Sequence, residues 1–184
     1  MKSIISIVLL LLVVLVNGQA TASSTFKSGL LYGYKNAYWL DAPDGWVLDN
    51  QAGKKQGLHA VFYPKNESWT TATGRIYSKA IVKGGKINSI EEYIKFDLAD
   101  FKKTSPKVEA KYKSEIELIK NRKAKIYEWI GDKWGNFEST AYIDEKYVIV
   151  IIVYNCKNEE YYKQNYYKFE QVINSYRFIT EKTN

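Results

Sequence analysis

The chain has 184 residues, 46% of them apolar, and a formal charge of +7 at neutral pH. A length of that order fits one domain around one core, and the single histidine and single cysteine exclude histidine-rich zinc centres and internal disulfides. With 16 tyrosines and five tryptophans, aromatic rings supply much of the core volume that aliphatic residues would otherwise provide.

In chain order, the first segment sets Lys2 before an apolar run from Ile4 to Val16, broken only by Ser6, and then a stretch of small residues. This is the three-part pattern of a secretory signal peptide, and the run is short of the ~20 apolar residues a spanning helix needs. The expectation is cleavage after Ala20 or Ala22, with residues 1–22 removed and residues 23–184 forming one exported domain, periplasmic or extracellular. An uncleaved membrane anchor is the alternative. No cysteine lies near the junction to carry a lipid, and export argues against nucleic acid as a partner.

Residues 41–50, DAPDGWVLDN, lie between two strand-like runs, 37–40 and 46–48, and Pro43, Asp44 and Gly45 are turn formers. The pattern predicts a hairpin. A calcium loop would need a ligand where Pro43 stands and a glutamate where Ala52 stands. Strands are expected over 58–63, stopped by Pro64, and over 74–82, with a polar loop between them that carries the sequon Asn66-Glu67-Ser68. Ser89 with Glu92 forms a capping box, and Ile90, Ile94, Leu98 and Phe101 follow at helical spacing, so a helix covers 90–103.

Residues 112–154 hold strands without helices: 114–120, a turn at Asn121-Arg122, 124–130, a polar loop 131–136, 137–144, a turn at Glu145-Lys146, and 147–154. Connections this short make an antiparallel meander. The last strand is apolar on both alternations, so both its faces must be covered. Asn158 caps a second helix with the stripe Tyr162, Tyr166, Phe169, Ile173 and Tyr176. The expected class is α+β, a three-layer α/β/α sandwich whose central antiparallel sheet is flanked by two main helices. Cys156, after the apolar strand, is expected to be a partly buried residue at a strand end.

The early YWLDAPDGWVLDN, the strand HAVFYP before a loop with Ser68-Trp69, the capped SIEEYIKFDLADF helix and the meander ending YIDEKYVIVIIVYN before a tyrosine-rich helix resemble the PsbP-like superfamily. The resemblance spans nearly all of 23–184 as an order of elements, and none of its motifs is catalytic. It implies the α/β/α sandwich and a binding or assembly role, often toward other proteins, with function varying widely among members.

Nucleophile-elbow and phosphate-loop patterns do not occur. His59, set among Leu58, Ala60 and Val61, reads as a packed strand residue rather than a base. No cofactor or metal is expected. From Lys102 to Lys125 nine basic residues face three glutamates, a local excess of six, which could meet an anionic envelope polymer. The primary expectation is a non-enzymatic binding or assembly protein acting through a protein partner. Its contact residues would be Trp134 and Lys133 in the polar loop, then Lys120, Arg122, Lys123 and Lys125. The alternative is a small-ligand or carbohydrate-binding protein, or a hydrolase, using Glu128, Asp132 and Glu138 as paired carboxylates in an aromatic pocket with Trp129 and Tyr142. Against it stands the simpler reading of hairpin turns with aromatics stacked across strands.

Overall fold

The computed structural model describes residues 25–183; the expected signal segment and its cleavage positions lie outside them. The described chain is mostly antiparallel sheet with two helices, an α+β fold. Strands β1 (Thr25–Phe26), β4 (Trp46–Asp49), β5 (Ala60–Pro64), β6 (Gly74–Val82), β10 (Val148–Cys156), β9 (Phe137–Asp144), β8 (Arg122–Ile130) and β7 (Glu109–Leu118) lie side by side in that order as one eight-stranded sheet. A second sheet holds β11 (Arg177–Thr180), β3 (Asn36–Asp41) and β2 (Ser28–Gly33). Helix α1 (Ile90–Phe101) joins β6 to β7, and α2 (Glu159–Asn174) follows β10.

The β-branched run of β10 suits a pleated strand with two buried faces. It pairs along its length with β6 on one edge and β9 on the other. Its side chains alternate between two cores: Val148, Val150, Ile152 and Tyr154 join one with Phe169, Val172 and Ile173 of α2, while Ile149, Ile151 and Val153 join the other with Ile90, Tyr93 and Ile94 of α1. The small sheet shares the α2 core through Leu31, Tyr38 and Leu40. On the opposite face α1 has no such companion. Its 12 residues span ~18 Å, against ~30 Å for a nine-residue strand, so one end of that face is left for a loop to cover.

The helix caps follow the sequence. Ser89 Oγ accepts from Glu92 N at 3.1 Å, and Glu92 Oε2 accepts from Asn88 N at 2.7 Å, so the reciprocal bond closes one residue before the cap. Asn158 Oδ1 accepts from Tyr161 N at 2.8 Å. In the α2 core, Tyr154 stacks on Tyr162 with centroids 5.0 Å apart. Cys156 is buried, its Sγ donating to Asn158 O at 3.2 Å.

The expected hairpin over 37–48 does not form. The turn is real, with Trp46 N donating to Pro43 O at 3.0 Å and Gly45 at φ +77°, but β3 is paired on both edges by β2 and β11, and β4 by β1 and β5. Residues 41–50 are a corner where the chain passes from one sheet to the other. Asp41 and Asp49 have partners close by in the chain, and Asp41 also meets Arg177 at 3.4 Å. Asp41 accepts from Trp39 Nε1 at 2.7 Å. Asp49 is buried and accepts from the amides of Gln51 and Ala52 and from Tyr63 Oη. The turn into β8 also differs: it falls on residues 119–121, with Lys120 and Asn121 at positive φ, and β8 begins at Arg122. Strands β2 and β11 have no counterpart in the sequence pattern.

Candidate functional site

Strands β8, β9, β10 and β6 bring one row of side chains to the end of the sheet that α1 leaves short. Their register places Trp129 beside Glu138, Glu138 beside Asn155, and Asn155 beside Arg75. The next residues on the same face are Thr140, Val153 and Tyr77. From above, α1 contributes Tyr93, Asp97 and Phe101, and the loop 131–136 contributes Trp134 and Asn136. All of these but Arg75 line a cavity of about 250 Å³.

The loop is held by Asp132, whose carboxylate accepts from the amides of Trp134 at 3.1 Å and Asn136 at 2.9 Å and from the Asn136 side chain. Lys133 N donates to buried Ser105 at 3.1 Å. Gly131 sits at φ +85°, and a Cβ there would lie 2.6 Å from Lys107 O, so both backbone angle and space require glycine. Trp134 is consequently fixed although half its surface is open: it is 50% exposed, meets Phe101 edge-on at 6.0 Å and carries Lys133 Nζ over its ring at 4.7 Å. A second, half-buried indole, Trp69, meets Tyr77 edge-on at 6.1 Å and has Arg75 over its ring at 5.6 Å. A depression lies between the two tryptophans, lined also by Asn136, Asn155 and Lys157.

Glu138 is half-buried in the cavity and accepts from Asn155 Nδ2 at 2.8 Å. Loss of hydration pushes its carboxyl up to about 7, aided by the negative charges of Asp132 and Asp97 and opposed by the Asn155 bond and Lys79. Asp97 is raised as well, chiefly by burial, with Lys79 and Tyr93 acting against the shift. Trp129 and Tyr142 are buried wall residues, the indole donating to Tyr142 Oη at 3.2 Å.

Glu128, Asp132 and Glu138 line, with Trp129, a neighbouring depression of about 410 Å³ toward α2, whereas Tyr142 lies in the cavity beneath α1. Glu128 projects from β8 one residue out of phase with Trp129 and pairs with Lys113 at 2.7 Å. Asp132 is occupied within its loop. Of the three, Glu138 alone also reaches the cavity beneath α1, and its acidic companion there is Asp97. A carboxylate four residues from both Tyr93 and Phe101 interrupts the buried stripe of α1, and that break in pattern was the available signal. Lys79, Tyr77 and Asn155 carry no comparable mark.

The basic stretch is largely paired. Arg122 Nε donates to Glu145 at 2.5 Å, Lys123 lies between Glu115 and Glu117 at 2.6 and 2.9 Å, and Lys125 meets Glu91 at 2.8 Å. Lys120 is an exposed turn residue. These cations lie at the start of β8 and Lys133-Trp134 beyond its end, separated by a strand of nine residues, ~25–30 Å. His59 is half-buried, its Nδ1 2.9 Å from Tyr38 Oη, and burial lowers its pKa. Among the described residues no group of three or more His, Cys, Asp or Glu could hold a metal ion, and no helix is long and apolar enough to cross a membrane.

No protein-family model and no curated protein sequence matches the chain. Solved structures do. The solution structure of cyanobacterial PsbP (CyanoP) from Synechocystis sp. PCC 6803 superposes with a TM-score of 0.54 at 11% identity, over 88% of this chain and 96% of that one. The chain has the PsbP-like fold. The same fold relates it to the Saccharomyces cerevisiae Ran-binding protein Mog1p, with a TM-score of 0.51 at 13% identity over 86% of this chain and 97% of that one. A point mutant of protein Mog1 gives a TM-score of 0.50 at 16% identity, over 85% and 97%. On this PsbP-like framework, the cavity and its two tryptophans lie where the short α1 leaves the sheet to be closed by a loop.

Proposed function

We propose that this chain is a non-enzymatic protein-interaction domain whose contact face is centred on Trp134. The observation that carries the reading is a half-exposed indole, 50% open to solvent, already immobilised by the Asp132 loop and Phe101. An aromatic side chain that loses little freedom on binding makes an efficient anchor. Trp69, across the depression, widens the face. The two cores on either side of the main sheet fit an α/β/α layering as its frame. The Ran-binding function named for Mog1p supports the same kind of role.

The test is a photo-crosslinking residue at position 134, with the exposed α2 position 167 as control, followed by affinity measurement with the captured partner. Trp134→Ala should weaken that affinity by about tenfold or more. An affinity within twofold of the parent would sink the reading. Export belongs to the same proposal: the mature protein should begin at Thr21 or Ser23, which N-terminal sequencing checks.

One observation favours a second reading, a small-ligand or carbohydrate site: Glu138 and Asp97 share one cavity with Trp129 and Tyr142. A thermal-shift screen with sugars would support it by a specific stabilisation.

A further inference from the structure

The cavity beneath α1 has a charge balance that selects its occupant. Two carboxylates, Asp97 and Glu138, and one ammonium, Lys79, line it. Lys79 Nζ stands 5.9 Å from the centre of the Tyr93 ring. With both acids ionised the cavity is left with one negative charge. The direct partner of Glu138 is the neutral amide of Asn155, and no cation forms an ion pair with it among the described residues. A single added cation balances the site.

The walls narrow the chemistry further. Trp129, Tyr142, Phe101 and Trp134 present ring surface, which attracts a cation electrostatically. A guanidinium suits such walls better than an ammonium, because it is planar, weakly hydrated and able to fork two N–H groups onto a carboxylate or amide oxygen. About 250 Å³ holds one side-chain end rather than a folded peptide. Outside, the rim carries Arg75 and Lys157, which repel a uniformly basic segment and attract one whose arginine has acidic neighbours.

We propose that this cavity receives a single arginine side chain of the protein partner that docks against Trp134, an arginine flanked in its own chain by acidic residues. This rests on the reading of the Trp134 face as a protein contact, but its test needs no partner in hand.

The probe is N-acetylargininamide titrated into the full mature protein, followed through the indole N–H resonances of Trp129 and Trp134. N-acetylcitrullinamide, the same shape without charge, is the control. The arginine probe should move both resonances saturably and the citrulline probe should not. Glu138→Gln should weaken the arginine probe by about tenfold, the usual cost of losing one charge-assisted bond. Asp97→Asn is an independent variant should the first fail to fold. Binding should also weaken from pH 8 to pH 6 as Glu138 takes up a proton, under the combined field of Asp97, Asp132, Lys79, Arg75 and Tyr77. Equal response to both probes, no response to arginine, or an unchanged affinity in both variants would overturn the inference, as would a neutral disaccharide shifting these resonances where arginine does not. Arginine binding with a Trp134→Ala variant that keeps its partner would leave the cavity assignment standing and remove the docking face instead.

Discussion

At the scale of single residues, Glu138 is a carboxyl group whose titration the fold changes strongly. Its ordinary pKa of 4.5 is raised to about 7 in the fold, so between those values the folded protein holds a proton that the unfolded chain has released. The sign follows: the contribution of Glu138 to stability is greatest below pH 4.5 and declines as pH rises toward 7, by an amount on the order of a few kcal/mol. Glu138→Gln has no such proton to lose. The variant should gain stability relative to the parent on going from pH 5 to pH 8, seen as a rise in its urea midpoint difference. A difference independent of pH would place Glu138 in ordinary solvent. Trp134 could be found in the sequence because a tryptophan among Gly, Asp, Lys and Asn has no core to enter. Asp97 could have been found as a break in a helical stripe. Lys79 and Asn155 could not, since a lysine or asparagine in a strand is common and only the roof supplied by α1 makes these two converge.

At the scale of elements, local chemistry and tertiary pairing contribute separately. The start of α1 is local: Ser89 satisfies an otherwise open amide, and Ser89→Ala should cost about 1 kcal/mol in denaturant unfolding. The loop 131–136 depends on both levels. Gly131→Ala forces a left-handed backbone and a contact with Lys107 O, for which a loss of about 1–3 kcal/mol is expected, together with altered Trp134 fluorescence as the loop shifts. Strands β6 and β9 were legible to the residue because their apolar alternation is bounded by turn formers. The corner at residues 41–50 was not. A Pro-Asp-Gly turn between two strand-like runs is the same local object in a hairpin and in a chain changing sheets. The difference lies in which strands claim the edges of β3 and β4: β2, just before β3, takes one edge of β3 and β11, from the far end of the described chain, takes the other, while β1 and β5 take both edges of β4.

At the scale of the whole molecule, Glu145 ties the meander to the segment that follows α2. Only 7% exposed, it accepts from Arg122 at the start of β8 and from Tyr176 Oη just after α2 at 3.0 Å. Glu145→Ala leaves a partly buried guanidinium and a buried phenol without their acceptor, and should cost about 3–5 kcal/mol, a large fraction of a domain's stability. Glu145→Gln, which keeps one acceptor oxygen, should cost clearly less in the same unfolding experiment. The pair also shows why charge counted along a sequence misleads. The basic stretch 102–125 looks unbalanced in one dimension, but Asp100, Glu91, Glu128 and Glu145 reach it from outside that window.

The amino-acid order was sufficient for the two helices, the meander and the need to cover both faces of β10, because these depend on periodicity, caps and turn residues a few positions apart. The pairing of β11 with β3, the ion pairs of the basic stretch with outside carboxylates and the cavity joining Asp97 to Glu138 depend mostly on contacts between residues tens of positions apart, whose free energy exists only once the chain has closed around its core.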